Sequence, residues 1–288
     1  MVLKKFLMAG IVAAVLVACG DDDSSDFATR PSGDSSSACE DCDGSSSSAK
    51  SSASVAYVEP CRADSVDTCE YGTLTDERDG QTYKTVKIGT QTWMAENLNY
   101  AYTGVSYVYK DRSYTSDSSS WCYDNDAANC AKYGRLYTWA AAMDSVGMWT
   151  TNGKGCGDGK TCSPTYPVRG VCPGGWHLPD TAEWKSTLFI AVGGRLTAGK
   201  MLRSTSDWNE DENGMDAYGF SALPAGLKNY FGDVFTSEGY SAFFWSSSEY
   251  GNFDISSYHM RLNNDNDEAG LMSIYKTYGF SVRCVKDD

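Results

Sequence analysis

The sequence predicts an α+β domain in which short strands and two main helices are joined by long loops and stabilised by disulfides. The first observation is compositional: 19 Tyr, 10 Phe and 8 Trp occur with 28 Gly, which favours short strands and tight turns over a helical bundle. The second is the cysteine content. Of the 11 cysteines, Cys19 stands apart near the N-terminus and the others form an even set, which is typical of a disulfide framework in an exported chain.

Residues 1–18 have the order of a bacterial lipoprotein signal: lysines, a short apolar stretch and then Leu-Val-Ala-Cys19. The apolar stretch is too short to span a bilayer and is typical of a signal-peptide core. The resemblance implies cleavage before Cys19 and a lipid on that cysteine, which would make the membrane a partner. The acidic run at 20–23 resembles a surface-export signal, with a solvated acidic patch as the alternative. We therefore expect a lipid-anchored outer-membrane protein exposed at the cell surface.

Residues 19–56 are rich in Ser, Asp and Gly and have no apolar periodicity, which predicts a disordered tether. Cys39 and Cys42 form a Cys-x-x-Cys pair there, for which a local or adventitious disulfide is a better interpretation than a metal or redox site, because no second pair accompanies it. Residues 57–73 are expected to form a short disulfide-bearing lead-in. A single domain is then predicted over 74–288, a length that suffices for one core.

The remaining eight cysteines lie at spacings that suggest pairings, although sequence alone does not fix them. Proximity favours three short loops, and two cysteines then remain for each other: Cys61–Cys69, Cys122–Cys130, Cys156–Cys162 and Cys172–Cys284. Zinc is disfavoured because no cysteine pair of the body has a partner pair or histidines at ligand spacing.

Three regions predict regular structure. Alternating residues on both sides of Gly89-Thr90 predict a hairpin of Gln81–Ile88 and Gln91–Ala95. Apolar residues at helical spacing predict a helix over 133–144. A second helix is predicted to begin at Asp180, whose side chain and that of Glu183 fit a capping box, and to end at Gly193-Gly194.

The chain closes with a predicted strand at 279–285. Phe280, Val282 and Cys284 alternate onto one face, which places Cys284 in the core.

Six sequence blocks occur together in one order, and they carry a family resemblance. They are Asp79–Asn99, Tyr133–Trp139, Val171–Pro179, Leu223–Gly226, Phe244–Glu249 and Tyr278–Cys284. Together they resemble the Fibrobacter succinogenes major paralogous domain family over roughly 74–288. That family is similar to C-type lectin-like folds and, remotely, to formylglycine-generating enzymes. The resemblance implies a C-type lectin-like fold, in which a disulfide such as Cys172–Cys284 joins the first helices to the last strand. It implies no settled activity.

Catalysis is not expected. His177 and His259 are interpreted as packing and hydrogen-bonding residues, and no motif frames a nucleophilic serine. Formylglycine-generating enzymes use two nearby reduced cysteines to bind copper. Cys284 is the only cysteine after Cys172, and we expect it to be oxidised, so we predict no catalytic residues and no cofactor.

Two acidic loops, 208–216 and 263–268, are dense in oxygen ligands, and Asp265 and Asp267 are candidate ligand-binding residues. Calcium is left open as a ligand, because six to eight oxygens are needed and neither loop has the EF-hand spacing. No Glu-Pro-Asn motif of the lectin type occurs, and the alternative is a pair of solvated acidic loops.

Exposed aromatic side chains are the other candidates for ligand binding, since aromatic faces stack on sugar rings. Trp208 and Tyr250 are expected to be exposed because polar residues and turns flank them, whereas Trp245 is expected in the core.

The sequence thus predicts a non-catalytic binding or adhesion module for polysaccharide or another surface protein. The alternatives are a structural envelope coat protein without a small ligand and an unconventional oxidase of the formylglycine-generating kind. The net charge of −14 disfavours nucleic acid as a partner, because a strongly acidic chain repels phosphates.

Overall fold

The computed structural model describes residues 56–63, 65–103, 105–108, 115–116, 119–251 and 254–288. Over these residues the fold is mixed α+β, with few helices and many short strands. The predicted signal, Cys19, nearly all of the predicted tether, and Cys39 with Cys42 lie outside the described residues. Within the described ranges, no helix combines the length and apolar character needed to cross a membrane.

The described strands are short. In chain order they are β1 (Arg62–Ala63), β2 (Val66–Asp67), β3 (Tyr71–Thr75), β4 (Thr82–Ile88), β5 (Gln91–Met94), β6 (Tyr107–Val108), β7 (Thr115–Ser116), β8 (Ser120–Trp121), β9 (Leu136–Tyr137), β10 (Trp176–His177), β11 (Ala225–Lys228), β12 (Phe235–Glu238), β13 (Ser241–Glu249), β14 (Ser256–Asn263), β15 (Ala269–Tyr275) and β16 (Val285–Lys286). The helices are α1 (Ala127–Tyr133), α2 (Trp139–Ala142), a π-helix (Glu183–Phe189) and α3 (Arg195–Leu202), with 3-10 turns at Tyr123–Asn125 and Asn209–Asp211.

Two five-stranded sheets organise the domain. The first has the order β10-β16-β5-β4-β3 and is antiparallel throughout, so it joins the N-terminal hairpin to the last strand. The second has the order β12-β11-β13-β14-β15, in which only β11 and β13 pair in parallel. In this order β15 is an edge strand, which leaves one side of it open to neighbouring helices and solvent.

The predicted hairpin is confirmed. Strands β4 and β5 pair antiparallel, with Ile88 opposite Gln91. Gly89 has φ 62°, a left-handed conformation that a glycine adopts without steric cost. Val86, Ile88 and Trp93 are buried beneath the hairpin.

The helix predicted over 133–144 is wrong in extent. Helix α1, capped by Asp126 through the N–H of Ala128, ends at Tyr133. Gly134 follows with φ 71°, and an added Cβ would lie 2.8 Å from the carbonyl oxygen of Asn97. The chain then forms β9, and only α2 is helical. The apolar spacing misled because the buried side chains come from three separate elements, α1, β9 and α2.

The predicted capping box is confirmed. The Glu183 N–H donates to Asp180 Oδ1 at 2.8 Å, and the Asp180 N–H donates to Glu183 Oε2 at 2.9 Å. Trp184 and Leu188 are buried on the inner face as expected. The helix is wound as a π-helix over Glu183–Phe189, which apolar spacing alone does not reveal.

The predicted last strand is only partly regular. Its first half makes isolated bridges, and only Val285 and Lys286 form a strand. Phe280, Val282 and Cys284 are buried, as expected. The intervening Arg283 is also buried, because the segment runs between two hydrophobic clusters and has no solvent face.

Four disulfides are present among the described residues, and they join the pairs that spacing suggested. They are Cys61–Cys69, Cys122–Cys130, Cys156–Cys162 and Cys172–Cys284. The last joins residues 112 positions apart. So many disulfides indicate an extracytoplasmic, oxidising compartment.

Candidate binding groove

An open groove of about 1150 Å³ lies on the surface of the described structure. It runs between the π-helix, the start of α3, and strands β14 and β15. We call it the edge groove, because β15 is the edge of its sheet.

One wall of the edge groove is helical. Thr181, Lys185, Ser186 and Ile190 line it, because the turns that bury Trp184 and Leu188 face these residues outward. Lys185 is exposed and has no ion pair within the described part of the chain. The wall therefore offers two hydroxyls, one ammonium and an apolar side chain.

The opposite wall comes from the sheet. Tyr258 on β14 is half-buried and packs edge-on against Tyr250, with ring centroids 5.2 Å apart. Arg261 also lines the groove, but it lies three residues further along β14, so its side chain and that of Tyr258 leave the strand on opposite faces. Its Nε–H donates to Asn263 Oδ1 at 2.6 Å, and its guanidinium carbon lies 5.5 Å from the centre of the Phe243 ring. These contacts fix the arginine while its two Nη groups have no hydrogen-bond acceptor among the described residues.

The loop 263–268 forms one end of the groove through Asn263, Asn266 and Glu268. Glu268 accepts a hydrogen bond at 2.6 Å from Arg195, at the start of α3. This exposed ion pair connects the helical side of the groove to the sheet side.

Arg203 organises the same loop from beneath. Its side chain is fully buried, and its Nη1 donates to the carbonyl oxygens of Asn263 and Asn266. Asp267 Oδ1 lies 3.7 Å from Nη2. Desolvation lowers the pKa of Arg203, and the charge of Asp267 opposes that effect. An arginine thus engages the backbone oxygens that a calcium ion would need.

Metal ligands do not gather elsewhere in the described ranges. No group of three or more His, Cys, Asp or Glu side chains there is placed to hold a metal ion.

The sequence-predicted ligand residues are only partly assembled. Tyr250 is 38% exposed and contacts Tyr258, and Asp265 and Asp267 are exposed on the loop that ends the groove. Trp208 is a correction: it is 4% exposed, and its Nε1–H donates to Ser204 Oγ at 3.0 Å and to the Ala222 carbonyl at 3.2 Å. The polar residues that flank Trp208 in the sequence therefore did not predict the exposure of its side chain.

Trp245 is buried as expected, and its Nε1–H donates to the carbonyl of Tyr137.

Tyr258 was among the aromatic candidates from the sequence, whereas Lys185, Arg195 and Arg261 are groove residues that the sequence did not single out as ligand-binding. No motif marks them, because they come from three separate elements that meet only through the tertiary fold.

The two histidines lie outside the edge groove. His177 sits between two carboxylates, with Nε2 2.8 Å from Glu183 Oε1 and Nδ1 2.7 Å from Asp287 Oδ1. Desolvation opposes its charge, but the hydrogen bonds and charges of Glu183 and Asp287 outweigh it, so the pKa of His177 is raised.

His259 is buried against Phe243, Trp245 and Phe280. Desolvation, aided by the positive charge of Arg261, lowers the pKa of His259 to about 3. It is therefore neutral at physiological pH and serves as a packing residue.

A second cavity, of about 450 Å³, is polar and is lined in part by Asn97, Asp216 and Arg283. Its charged groups satisfy one another. Asp216 accepts hydrogen bonds from Arg62 and from the side chain and N–H of Ser221. Since these buried groups are already partnered within the protein, this cavity is the weaker candidate for a ligand.

One family model matches the chain, and its description is the Fibrobacter succinogenes major domain. The match covers residues 86–286, which is more than half of the chain. The chain therefore belongs to this family. No curated protein and no solved structure gives a significant match.

Proposed function

We propose that this member of the Fibrobacter succinogenes major domain family is a non-catalytic binding module, and that the edge groove holds a segment of polysaccharide. The observation that carries the proposal is the groove itself: one open surface on which an aromatic ring, hydroxyls, amides and cations converge. A few polar groups set among apolar ones are typical of ligand sites.

Each kind of side chain has a part in sugar recognition. The half-buried ring of Tyr258 offers a face for stacking, and its contact with Tyr250 limits its rotation. Thr181 and Ser186 offer hydroxyls on one wall, and Asn263 and Asn266 offer amides at the end. Such groups donate to and accept from sugar hydroxyls. An open groove can hold a segment of a longer polymer.

We further propose that the domain has a C-type lectin-like fold. The six sequence blocks support this, and so does the Cys172–Cys284 disulfide, which joins the segment preceding the helix to the last strand. The anchor is proposed from the sequence around Cys19, with the body displayed at the outer surface of the outer membrane. The extracytoplasmic disulfides are consistent with that placement.

Binding through the edge groove is proposed to be independent of calcium. Arg203 already donates to the carbonyls of Asn263 and Asn266 and so supplies the positive charge at this loop.

The test is pull-down of the full-length, oxidised chain on a panel of soluble and insoluble polysaccharides, with calcium and with chelator. Tyr258→Ala should weaken binding roughly tenfold if its ring stacks on the ligand. Tyr240→Ala is the control for loss of a tyrosine ring elsewhere, since Tyr240 is 45% exposed and does not line the groove. Chelator should change nothing.

Equal binding by the Tyr258 and Tyr240 variants would place the ligand elsewhere. If the chain bound none of the polymers, the result would favour the alternative function of a structural envelope coat protein.

A further inference from the structure

We propose that the edge groove selects acidic polysaccharide, a polymer that carries carboxylates or sulfate esters at intervals along a sugar chain. This inference rests on the proposed function and narrows it from polysaccharide in general to one charge class. The observation behind it is a local reversal of charge within an acidic protein.

The groove is lined mainly by positive side chains, whereas the chain as a whole is acidic. The whole chain has 24 Lys and Arg against 38 Asp and Glu. The groove lining contains three cations, Lys185, Arg195 and Arg261, and a single carboxylate, Glu268. A groove with this balance concentrates positive potential between walls of lower dielectric constant, which attracts anionic ligands.

Two of the three cations are free to act on a ligand. Arg195 is paired with Glu268 at 2.6 Å, so its charge is largely offset. Lys185 and Arg261 have no ion pair among the described residues. Lys185 lies on the helical wall and Arg261 on β14, so a polymer in the groove could meet one charge from each element.

Arg261 is held ready for an anion. Asn263 accepts from its Nε, and the ring of Phe243 lies beside its guanidinium. The Nη groups are thus oriented before a ligand arrives, and a guanidinium fork matches a carboxylate or sulfate through two parallel hydrogen bonds. Preorganisation of this kind reduces the entropy lost on binding.

The surroundings favour a sparsely charged polymer over a densely charged one. Nucleic acid carries a phosphate at every nucleotide, and the net charge of −14 would repel it outside the groove. The exposed Asp265 and Asp267 lie on the adjoining loop and add to that repulsion. A polysaccharide with charges at intervals can place an anion beside Lys185 or Arg261 while its neutral sugars contact other parts of the groove.

The experiment measures affinity of the full-length, oxidised chain for a partly methyl-esterified polygalacturonate, a partly sulfated galactan and neutral arabinoxylan, from about 50 to about 500 mM NaCl. The acidic polymers should bind more tightly than arabinoxylan, and their affinity should fall roughly tenfold over this range because the exposed charges are screened. The carboxylate and sulfate arms distinguish the two sources of anion.

Variants locate the effect. Lys185→Gln combined with Arg261→Gln should reduce binding of the acidic polymers roughly tenfold and leave arabinoxylan unchanged. Lys286→Gln is the matched control, because Lys286 is exposed, has no ion pair among the described residues and does not line the groove. Lys185→Gln alone, at an exposed position, is measured beside the double variant and should give a smaller loss in the same direction.

The outcomes separate the two proposals. Equal, salt-insensitive binding of acidic and neutral polymers would overturn the charge selectivity and leave the polysaccharide proposal intact. Undiminished binding of acidic polymers by both groove variants would also overturn it. Tighter binding of duplex DNA or of an acidic peptide than of any polysaccharide would overturn the ligand class, and no binding at all would remove both proposals.

Discussion

Buried cations in the loop-rich interior and cations in the edge groove behave in opposite ways. Arg283 is fully buried and donates to Asn97 Oδ1 and to the carbonyls of Met94, Phe220 and Ser221. In the groove, Lys185 is exposed without an ion pair among the described residues, and Arg261 makes one side-chain hydrogen bond.

Lys276 repeats the interior pattern. It is buried, and its Nζ donates to the carbonyls of Gly157, Lys160 and Asp254 and to Glu249 Oε1. Loops that cannot form ladders have unpaired carbonyls, and a buried ammonium or guanidinium satisfies several of them at once. The comparison teaches that interior cations hold loops together through several carbonyls at once, whereas the two unpaired groove cations keep donors available for a ligand of the kind proposed.

The largest expected effect is at Arg283. Desolvation lowers its pKa to about 9, so it remains charged at neutral pH. Arg283→Met should lower the free energy of unfolding by about 3–5 kcal/mol, because several buried acceptors lose their donor. Urea unfolding measures the change. Arg261→Met, in the groove, should stay within about 0.5 kcal/mol, and equal losses for the two arginines would erase the distinction between them.

A second test compares the lysines. Lys276→Met should lower the free energy of unfolding by about 2–3 kcal/mol, since the carbonyls of two loops and the Glu249 carboxylate lose their common donor. The same measurement on Lys185→Met serves as the control. If Lys276→Met were as stable as the parent chain, the interior cations would not be what holds these loops.

The histidines extend the comparison to pH. The raised pKa of His177 contributes stability that is fully present below its unfolded pKa, about 6.5, and is lost as pH rises through the folded pKa. The lowered pKa of His259 has the opposite sign: its stability is present above about pH 6.5 and is lost as pH falls toward its folded value. At pH 5 the second effect should cost about 2 kcal/mol.

Unfolding free energies of the parent chain, His177→Gln and His259→Phe between pH 5 and 8 separate the two contributions. Relative to its own stability at pH 8, His177→Gln should lose more on acidification than the parent, and His259→Phe should lose less. Parallel pH profiles for all three proteins would contradict both assignments.

The smallest expected effect is that of Lys185→Gln on stability, within about 0.5 kcal/mol. Thermal unfolding measures it. A larger loss would mean that Lys185 has a structural partner, and the groove cations would then resemble the interior ones.

Local patterns were enough to predict the hairpin and the capping box. Gly89 sits between two alternating runs, and Asp180 and Glu183 are three residues apart, so each structure depends on neighbours in sequence. The disulfide pairs also followed from short spacing and from the two cysteines that were left.

The groove could not be predicted in the same way. Tyr258, Lys185 and Arg195 meet only because β14 packs near the π-helix and α3. The burial of Trp208 depends on Ser204 and Ala222, the second of which approaches from another part of the chain. Likewise Arg283 donates to the carbonyls of Met94 and Phe220. Every residue has a backbone carbonyl, so the sequence does not indicate which carbonyls will accept from a buried arginine.

The Cys172–Cys284 disulfide has a mechanical consequence. All residues that line the edge groove lie between these two cysteines. A pull applied to the chain on either side of that pair passes through the sulfur–sulfur bond and bypasses the 111 residues between them. Force on a bound polymer would be transmitted from the groove through two covalent connections, the backbone and the disulfide. The segment between Cys172 and Cys284 would therefore resist extension until the disulfide was reduced.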